Sequence, residues 1–163
     1  MNLPDLDTLC EMLNGTLYGQ DHGGFSSMDI DSRRLQADSL FVAFAGEQTD
    51  GHLFLKAAKE KGAKAALIEN SEFANDEILP CVLVSSCQEA MLEIASWQRK
   101  QRSHPVLAIT GTNGKTSTKD FIYQLFSQKM SCVKTIGNFN NQLGLPLSLV
   151  NTCLLYTSPS PRD

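Results

Sequence analysis

Val106-Leu107-Ala108-Ile109-Thr110-Gly111-Thr112-Asn113-Gly114-Lys115-Thr116-Ser117 is the stretch on which the reading of this chain turns. An apolar run ends in a glycine-containing turn with a lysine and a hydroxyl. An amphipathic segment follows, with Phe121, Ile122, Leu125 and Phe126 at helical spacing. That order predicts strand, phosphate loop, helix. Glycines let the backbone bend and bring its N–H groups close to phosphate oxygens. The helix N-terminus adds a partial positive charge behind them. Thr110, Gly111, Thr112, Asn113, Gly114, Lys115, Thr116 and Ser117 are therefore the candidate phosphate-binding set. Lys115 can reach terminal phosphates, and the Thr116 hydroxyl is a candidate Mg²⁺ ligand. The implied ligand is a nucleoside triphosphate. The loop departs from the common phosphate-loop pattern, because Ile109 stands where its first glycine belongs and the glycine falls two residues later, at Gly111.

Composition narrows the class. With 42% hydrophobic and 20% charged residues the chain is expected to be globular. About 150 native residues allow one or two small domains. The net charge of −4 and the lack of a basic run disfavour nucleic acid as a partner. Setting Cys153 aside with the tail, four cysteines remain: Cys10, Cys81, Cys87 and Cys132. None has C-x-x-C spacing and the histidines His22, His52 and His104 are scattered, so buried reduced thiols are expected rather than a zinc site. No apolar run reaches transmembrane length, and the N-terminus lacks the basic and apolar regions of a secretory signal. A cytoplasmic protein without membrane insertion is expected.

Working outward, Leu6, Leu9, Cys10 and Leu13 recur at i, i+3, i+4 and i+7, which predicts a first helix closed by Gly15. Strand-like pieces follow at residues 24–30 and 39–44. Asp50 can cap a helix running to Lys61, with Phe54, Ala57 and Ala58 inward and Gly62 as its stop. Residues 65–68 and 81–84 read as short strands. A helix is expected over 88–102, with Met91, Ile94, Ala95 and Trp97 buried. Ser103-His104-Pro105 marks a domain joint, because the residue before proline disfavours helix. After the phosphate-loop helix, one more strand is expected near 131–135.

Two further constellations stand out. Asp31-Ser32-Arg33 follows a strand-like piece; an arginine can grip phosphate or carboxylate in a fork, and the serine can donate another hydrogen bond. On its own the triplet also reads as a solvated turn, with Arg34 a solvated neighbour. The run Gly137-Asn138-Phe139-Asn140-Asn141-Gln142-Leu143-Gly144-Leu145-Pro146 is dense in Asn and Gly. Alone it reads as a structural loop, but it follows a strand of the nucleotide module, near the strand ends where α/β ligands sit.

Thr-Gly-Thr-Asn-Gly-Lys-Thr-Ser over 110–117 resembles the phosphate loop of the Mur ligases, which build the peptide of bacterial cell-wall precursors. Folylpolyglutamate synthases share the loop but usually carry Gly after the Lys, where this chain has Thr116. The Gly-Asn-x-Asn-Asn-x-x-Gly-x-Pro run resembles the corresponding loop of the family member that adds D-alanyl-D-alanine. Asp31-Ser32-Arg33, Leu-Phe-Val-Ala-Phe-Ala-Gly at 40–46 and the Gly-x-x-x-Asp-Gly-His pattern ending at His52 are similar to the family's N-terminal domain. The resemblance covers residues 3–152.

The resemblance implies an α/β fold: a small mixed α/β substrate domain over 1–103, then the truncated start of a P-loop α/β ATPase domain over 104–152. It implies ATP-dependent, ADP-forming amide synthesis with Mg²⁺, and Lys115 as the catalytic cation. UDP-N-acetylmuramoyl-tripeptide would be held by Asp31, Ser32 and Arg33, by Asn138, Asn140 and Asn141, and less firmly by His52, for which capping or packing is an equal reading. The D-alanyl-D-alanine site would lie downstream of this chain, and a monomer is expected. Three alternatives stay open: the tripeptide-forming member or another ligase of the family, a P-loop hydrolase or nucleotide-regulated switch, and a non-catalytic P-loop nucleotide-binding module. Residues 153–163, Cys-Leu-Leu-Tyr-Thr-Ser-Pro-Ser-Pro-Arg-Asp, resemble a translated transposase sequencing adapter and are read as an artefact rather than native sequence. The fragment is not expected to ligate on its own.

Overall fold

A computed structural model describes residues 3–20, 23–46, 49–135 and 143–155, with side chains in the last stretch up to Asn151. Five strands form one mixed sheet: β1 (Thr16–Tyr18), β2 (Ser27–Asp29), β3 (Ser39–Ala43), β4 (Ala63–Ile68) and β5 (Cys81–Leu83). Their spatial order is β1-β5-β4-β3-β2; all neighbours are parallel except the β1/β5 pair.

Parallel strands covered on both faces read as continuous apolar runs, and period-2 alternation then divides each run between two cores. In β3, Leu40 and Val42 enter one core while Phe41 and Ala43 enter the other; Ala65 and Leu67 of β4 part from Ala66 and Ile68 in the same way. The first core is closed by α1 (Leu6–Met12), α3 (Cys87–Lys100) and α5 (Gly144–Leu155), through Leu6, Leu9, Met91, Ile94, Leu147 and Val150. The second is closed by α2 (Leu55–Glu60), through Leu55 and Ala58. The cysteines Cys10, Cys81, Cys87 and Cys132 are unbridged. Burial pushes the Cys81 thiol up to about 11 and raises that of Cys87 further, which leaves both inert as nucleophiles.

The helices begin where capping chemistry allows. The Asp5 carboxylate accepts the Thr8 N–H at 2.9 Å, and the Ser86 hydroxyl accepts the Glu89 N–H at 3.3 Å. Asp50 caps as expected, but a 3-10 helix, Gly51–Phe54, precedes α2. The tighter 3-10 turn rotates the inward face, so Leu55 and Ala58 are buried while Phe54 is exposed. Gly62 is the expected stop: its φ of +102° and the Ala37 Cα 3.0 Å from where a Cβ would sit both require glycine. On α3 the buried position next to Ala95 belongs to Gln98, whereas Trp97 is only half-buried.

Three further differences from the sequence reading have physical causes. β1 is only three residues long and half-exposed, too short to leave a periodic signal. Residues 106–110 and 131–135 form no strand; Val106 and Leu107 are 58% and 66% exposed. A strand exists only through a ladder to a neighbour, and among the described residues none pairs with either segment. α5 occupies a stretch read as loop and tail; its residues 153–155 reach into the adapter-like segment, while the rest of that segment lies outside the described residues.

Candidate substrate and phosphate sites

The carboxyl ends of β2, β3, β4 and β5 lie on one edge of the parallel sheet, where open α/β sheets receive ligands. The turn after β2 is organised by its own carboxylates. Asp29 Oδ1 accepts the N–H groups of Ile30 (2.8 Å) and Asp31 (3.0 Å). Asp31 takes the Arg33 guanidinium in a two-point fork, Nε to Oδ1 at 2.9 Å and NH2 to Oδ2 at 2.8 Å, and also accepts the Arg33 N–H at 3.0 Å. The hydrogen bond from Arg33 holds the Asp31 carboxyl down to about 2. The Arg33 side chain is nonetheless 87% exposed, so its outer donors face solvent. Ser32 is half-buried in the same turn. Arg34, expected to be merely solvated, pairs with Asp29 at 3.4 Å. Asp29 and Arg34 thus help build the turn that carries Asp31, Ser32 and Arg33, although the sequence pattern did not single them out.

The loop after β3 is closed by a bridge between Ala45 and Asp50 and by the Gly51 N–H to Phe44 carbonyl bond of 2.9 Å. His52 anchors it and is 2% exposed. Its Nδ1 lies 2.6 Å from Asp50 Oδ1, and its Nε2 accepts the Glu69 backbone N–H at 3.1 Å. An acceptor at Nε2 requires the proton on Nδ1, which Asp50 then accepts. The bonds from the His52 backbone and ring hold the Asp50 carboxyl below its ordinary range. His52 also stacks on Phe73, with ring centroids 5.0 Å apart. Both ring nitrogens are engaged, so His52 holds the loop from inside. Glu69 completes the network: its carboxylate accepts the Ala45 N–H (3.2 Å) and the Cys87 N–H at the start of α3 (3.0 Å), tying the ends of β3, β4 and the β5–α3 turn together.

The phosphate loop opens α4 (Lys115–Ser127). Gly111 and Gly114 have φ of +147° and +78°, and no atom approaches the place of a Gly114 Cβ within 4 Å. Glycine is therefore needed there for backbone shape, not for packing room. The first turn of α4 has no side-chain cap, which leaves the N–H groups of its start available to an anion. Lys115 Nζ donates to the carbonyls of Gly111 (2.5 Å) and Thr112 (3.3 Å), folding over the loop that would receive a phosphate. Thr110, Thr112, Asn113, Thr116 and Ser117 are exposed around it. Thr116 supplies one hydroxyl, and among the described residues no group of three His, Cys, Asp or Glu side chains could hold a metal. Residues 131–135 lie against α4 through Lys119 Nζ to the Thr135 carbonyl (2.9 Å) and Lys134 to Asp120 (2.6 Å). Asn138, Asn140 and Asn141 lie outside the described residues.

A five-stranded mixed sheet with a carboxylate–arginine rim, followed by a glycine loop at a helix N-terminus, makes this a mixed α/β protein. Two family descriptions match in succession: "Mur ligase family, catalytic domain" over residues 25–110 and "Mur ligase middle domain" over 109–154. The chain belongs to the Mur ligase family. It is 38% identical over 145 residues to the UDP-N-acetylmuramoyl-tripeptide–D-alanyl-D-alanine ligase of Escherichia coli (strain K12), covering 89% of this chain and 31% of that protein. The Bacillus subtilis (strain 168) ligase of the same name is 34% identical, with 87% and 32% covered. Among solved structures, MurF from Acinetobacter baumannii superposes with a TM-score of 0.76 at 26% identity, covering 91% of this chain and 33% of that one. MurF from Thermotoga maritima in complex with ADP gives 0.66 at 34% identity, with 77% and 29% covered. The chain spans about a third of the length of the curated relatives it matches.

Proposed function

We propose that this chain is the sugar-nucleotide-binding and phosphate-binding part of an ATP-dependent, ADP-forming ligase. That ligase joins D-alanyl-D-alanine to UDP-N-acetylmuramoyl-tripeptide in peptidoglycan precursor synthesis. The observation that carries the reading is the glycine loop opening α4, at the junction of two consecutive family matches. The names of the curated relatives and the ADP complex of the Thermotoga maritima enzyme support the choice of reaction. Residues 1–103 serve as the substrate domain and 104–152 as the start of the ATP-binding domain. The enzyme works as a cytoplasmic monomer; no described helix is long and apolar enough to cross a membrane.

The chemistry follows from the reactants. A carboxylate does not condense with an amine at neutral pH, so it must first be activated. The terminal carboxylate of the tripeptide attacks the γ-phosphorus of ATP; the bond to the β-phosphate oxygen breaks, and ADP leaves. The amine of D-alanyl-D-alanine then attacks the acyl phosphate carbon, loses a proton, and inorganic phosphate departs. Two anions meet in the first step, so the protein must position them and neutralise charge. Lys115 swings from the Gly111 and Thr112 carbonyls to the phosphates, and the N–H groups at the start of α4 cradle them. Mg²⁺ would be held by the Thr116 hydroxyl together with phosphate oxygens, and would supply further charge neutralisation. Arg33 and Ser32 offer donors to the sugar nucleotide, joined by Asn138, Asn140 and Asn141, while His52 shapes the neighbouring loop from within.

The test is Lys115→Ala in a full-length ligase carrying this segment. ADP release dependent on D-alanyl-D-alanine is expected to fall by about 10²-fold or more, the scale of losing a group that stabilises transition-state charge. The amide spectrum of the first hundred residues should be unchanged. Ligation at the wild-type rate would refute the role.

A further inference from the structure

β2 is an edge strand: β3 lies on one side, and among the described residues no strand lies on the other. Its central residue, Met28, is fully buried, so its outward N–H and C=O need partners that water cannot supply. Both partners come from one side chain 123 residues away. Asn151 Oδ1 accepts the Met28 N–H at 3.0 Å, and Asn151 Nδ2 donates to the Met28 carbonyl at 2.8 Å. The carboxamide presents one donor and one acceptor to the strand edge, as the peptide unit of a neighbouring strand would.

Asn151 is itself held firmly. It sits on α5, whose Leu147 and Val150 are buried in the same core as Met28, Met91 and Ile94. The next residue after Met28 is Asp29, whose carboxylate organises the turn by accepting the Ile30 and Asp31 N–H groups and pairing with Arg34. A displacement of Met28 therefore passes directly into the turn that carries Asp31, Ser32 and Arg33.

We infer that Asn151 is a positioning residue. Through its two-point bond to Met28 it fixes the 29–34 turn in the geometry that receives the anionic sugar nucleotide, and it couples that turn to the segment following the phosphate loop. The ligand assignment rests on the reading of that turn given above; the mechanical coupling does not. α5 thus packs into the core of the substrate module, although in sequence it belongs to the start of the ATP-binding segment.

The test uses the 163-residue chain with Asn151→Ala and Asn151→Asp, the latter keeping an acceptor for the Met28 N–H but losing the donor. Amide exchange and amide chemical shifts are measured first, then the affinity for UDP-N-acetylmuramoyl-tripeptide. Asn151→Ala is expected to speed Met28 exchange by about tenfold or more, shift the Ile30 and Asp31 signals, and weaken the affinity by about fivefold. Leu67 and Val82 exchange should be unchanged. Asn151→Asp should fall between, and it carries the comparison if the alanine variant does not fold. Unchanged Met28 exchange would overturn the coupling. Faster Met28 exchange with unmoved turn signals and affinity would overturn the positioning role. Failure of the wild-type chain to bind the ligand, with the exchange and shift effects present, would overturn the substrate assignment while supporting the coupling.

Discussion

Leu67 on β4 and Phe121 on α4 are both large apolar residues in regular structure, and their surroundings are opposite. Leu67 is fully buried between layers; Phe121 is 63% exposed, and Leu125 and Phe126 beside it are half-exposed. The first hundred residues, with α5 laid across them, close two cores around a complete sheet. Residues 104–135 contribute a loop and a helix with no buried residue and no strand. A glycine loop at a helix start is therefore a local object. Two glycines with positive φ and a helix start suffice to shape it, whereas the strand before it needs a sheet.

Hydrogen exchange gives the largest expected contrast between the two regions. Amides of β3 and β4 open only with the core, while α4 is a 13-residue helix without a buried face, a length that is marginal in water. Protection in β3 and β4 should exceed that of Phe121, Leu125 and Phe126 by about 10³-fold or more. Equal protection would mean that α4 has a cover. Next in size, Leu67→Ala should cost about 2–5 kcal/mol in denaturant unfolding, and Phe121→Ser should change it by no more than about 0.5 kcal/mol. Similar losses would erase the distinction.

Smaller effects test the rim of the sheet. His52→Ala strands the Glu69 N–H and one face of Asp50, and should cost about 1–3 kcal/mol while shifting the Ala45 and Gly51 amide signals. The smallest effect concerns pH. The Asp31 carboxyl is lowered from 3.8 to about 2 by its bond to Arg33. Because the folded value is depressed, the stabilisation is present in full above 3.8 and is lost as pH falls through about 2. The Arg33 side chain is largely solvated, which keeps the contribution small. Carboxyl titration by NMR should find the low midpoint, and Arg33→Ala should return it toward 3.8.

What could be read in the sequence divides along the same line. β3 and β4 were legible because both faces are buried, so Leu40 to Ala43 and Ala65 to Ile68 are unbroken apolar runs. The glycine loop and α4 were legible because they depend on local residue types. Asp31 and Arg33 could be picked out, being two residues apart in one turn. Partnerships across long separations could not: His52 meets Glu69 across 17 residues and Asn151 meets Met28 across 123. β1 was too short, and α5 was obscured by the Asn-rich run before it and the tail behind it. The strand expected at 106–110 met every local criterion and did not form, because its remaining requirement, a neighbour, is not local.

The most direct test of the account is to titrate the 163-residue chain with UDP-N-acetylmuramoyl-tripeptide and follow its amide signals. Saturable shifts confined to the 29–34 turn, the 45–52 loop and the Glu69–Cys87 junction are predicted, with the β1 edge unaffected. No shifts, or shifts centred on the opposite edge of the sheet, would contradict the assignment of this rim as the substrate site.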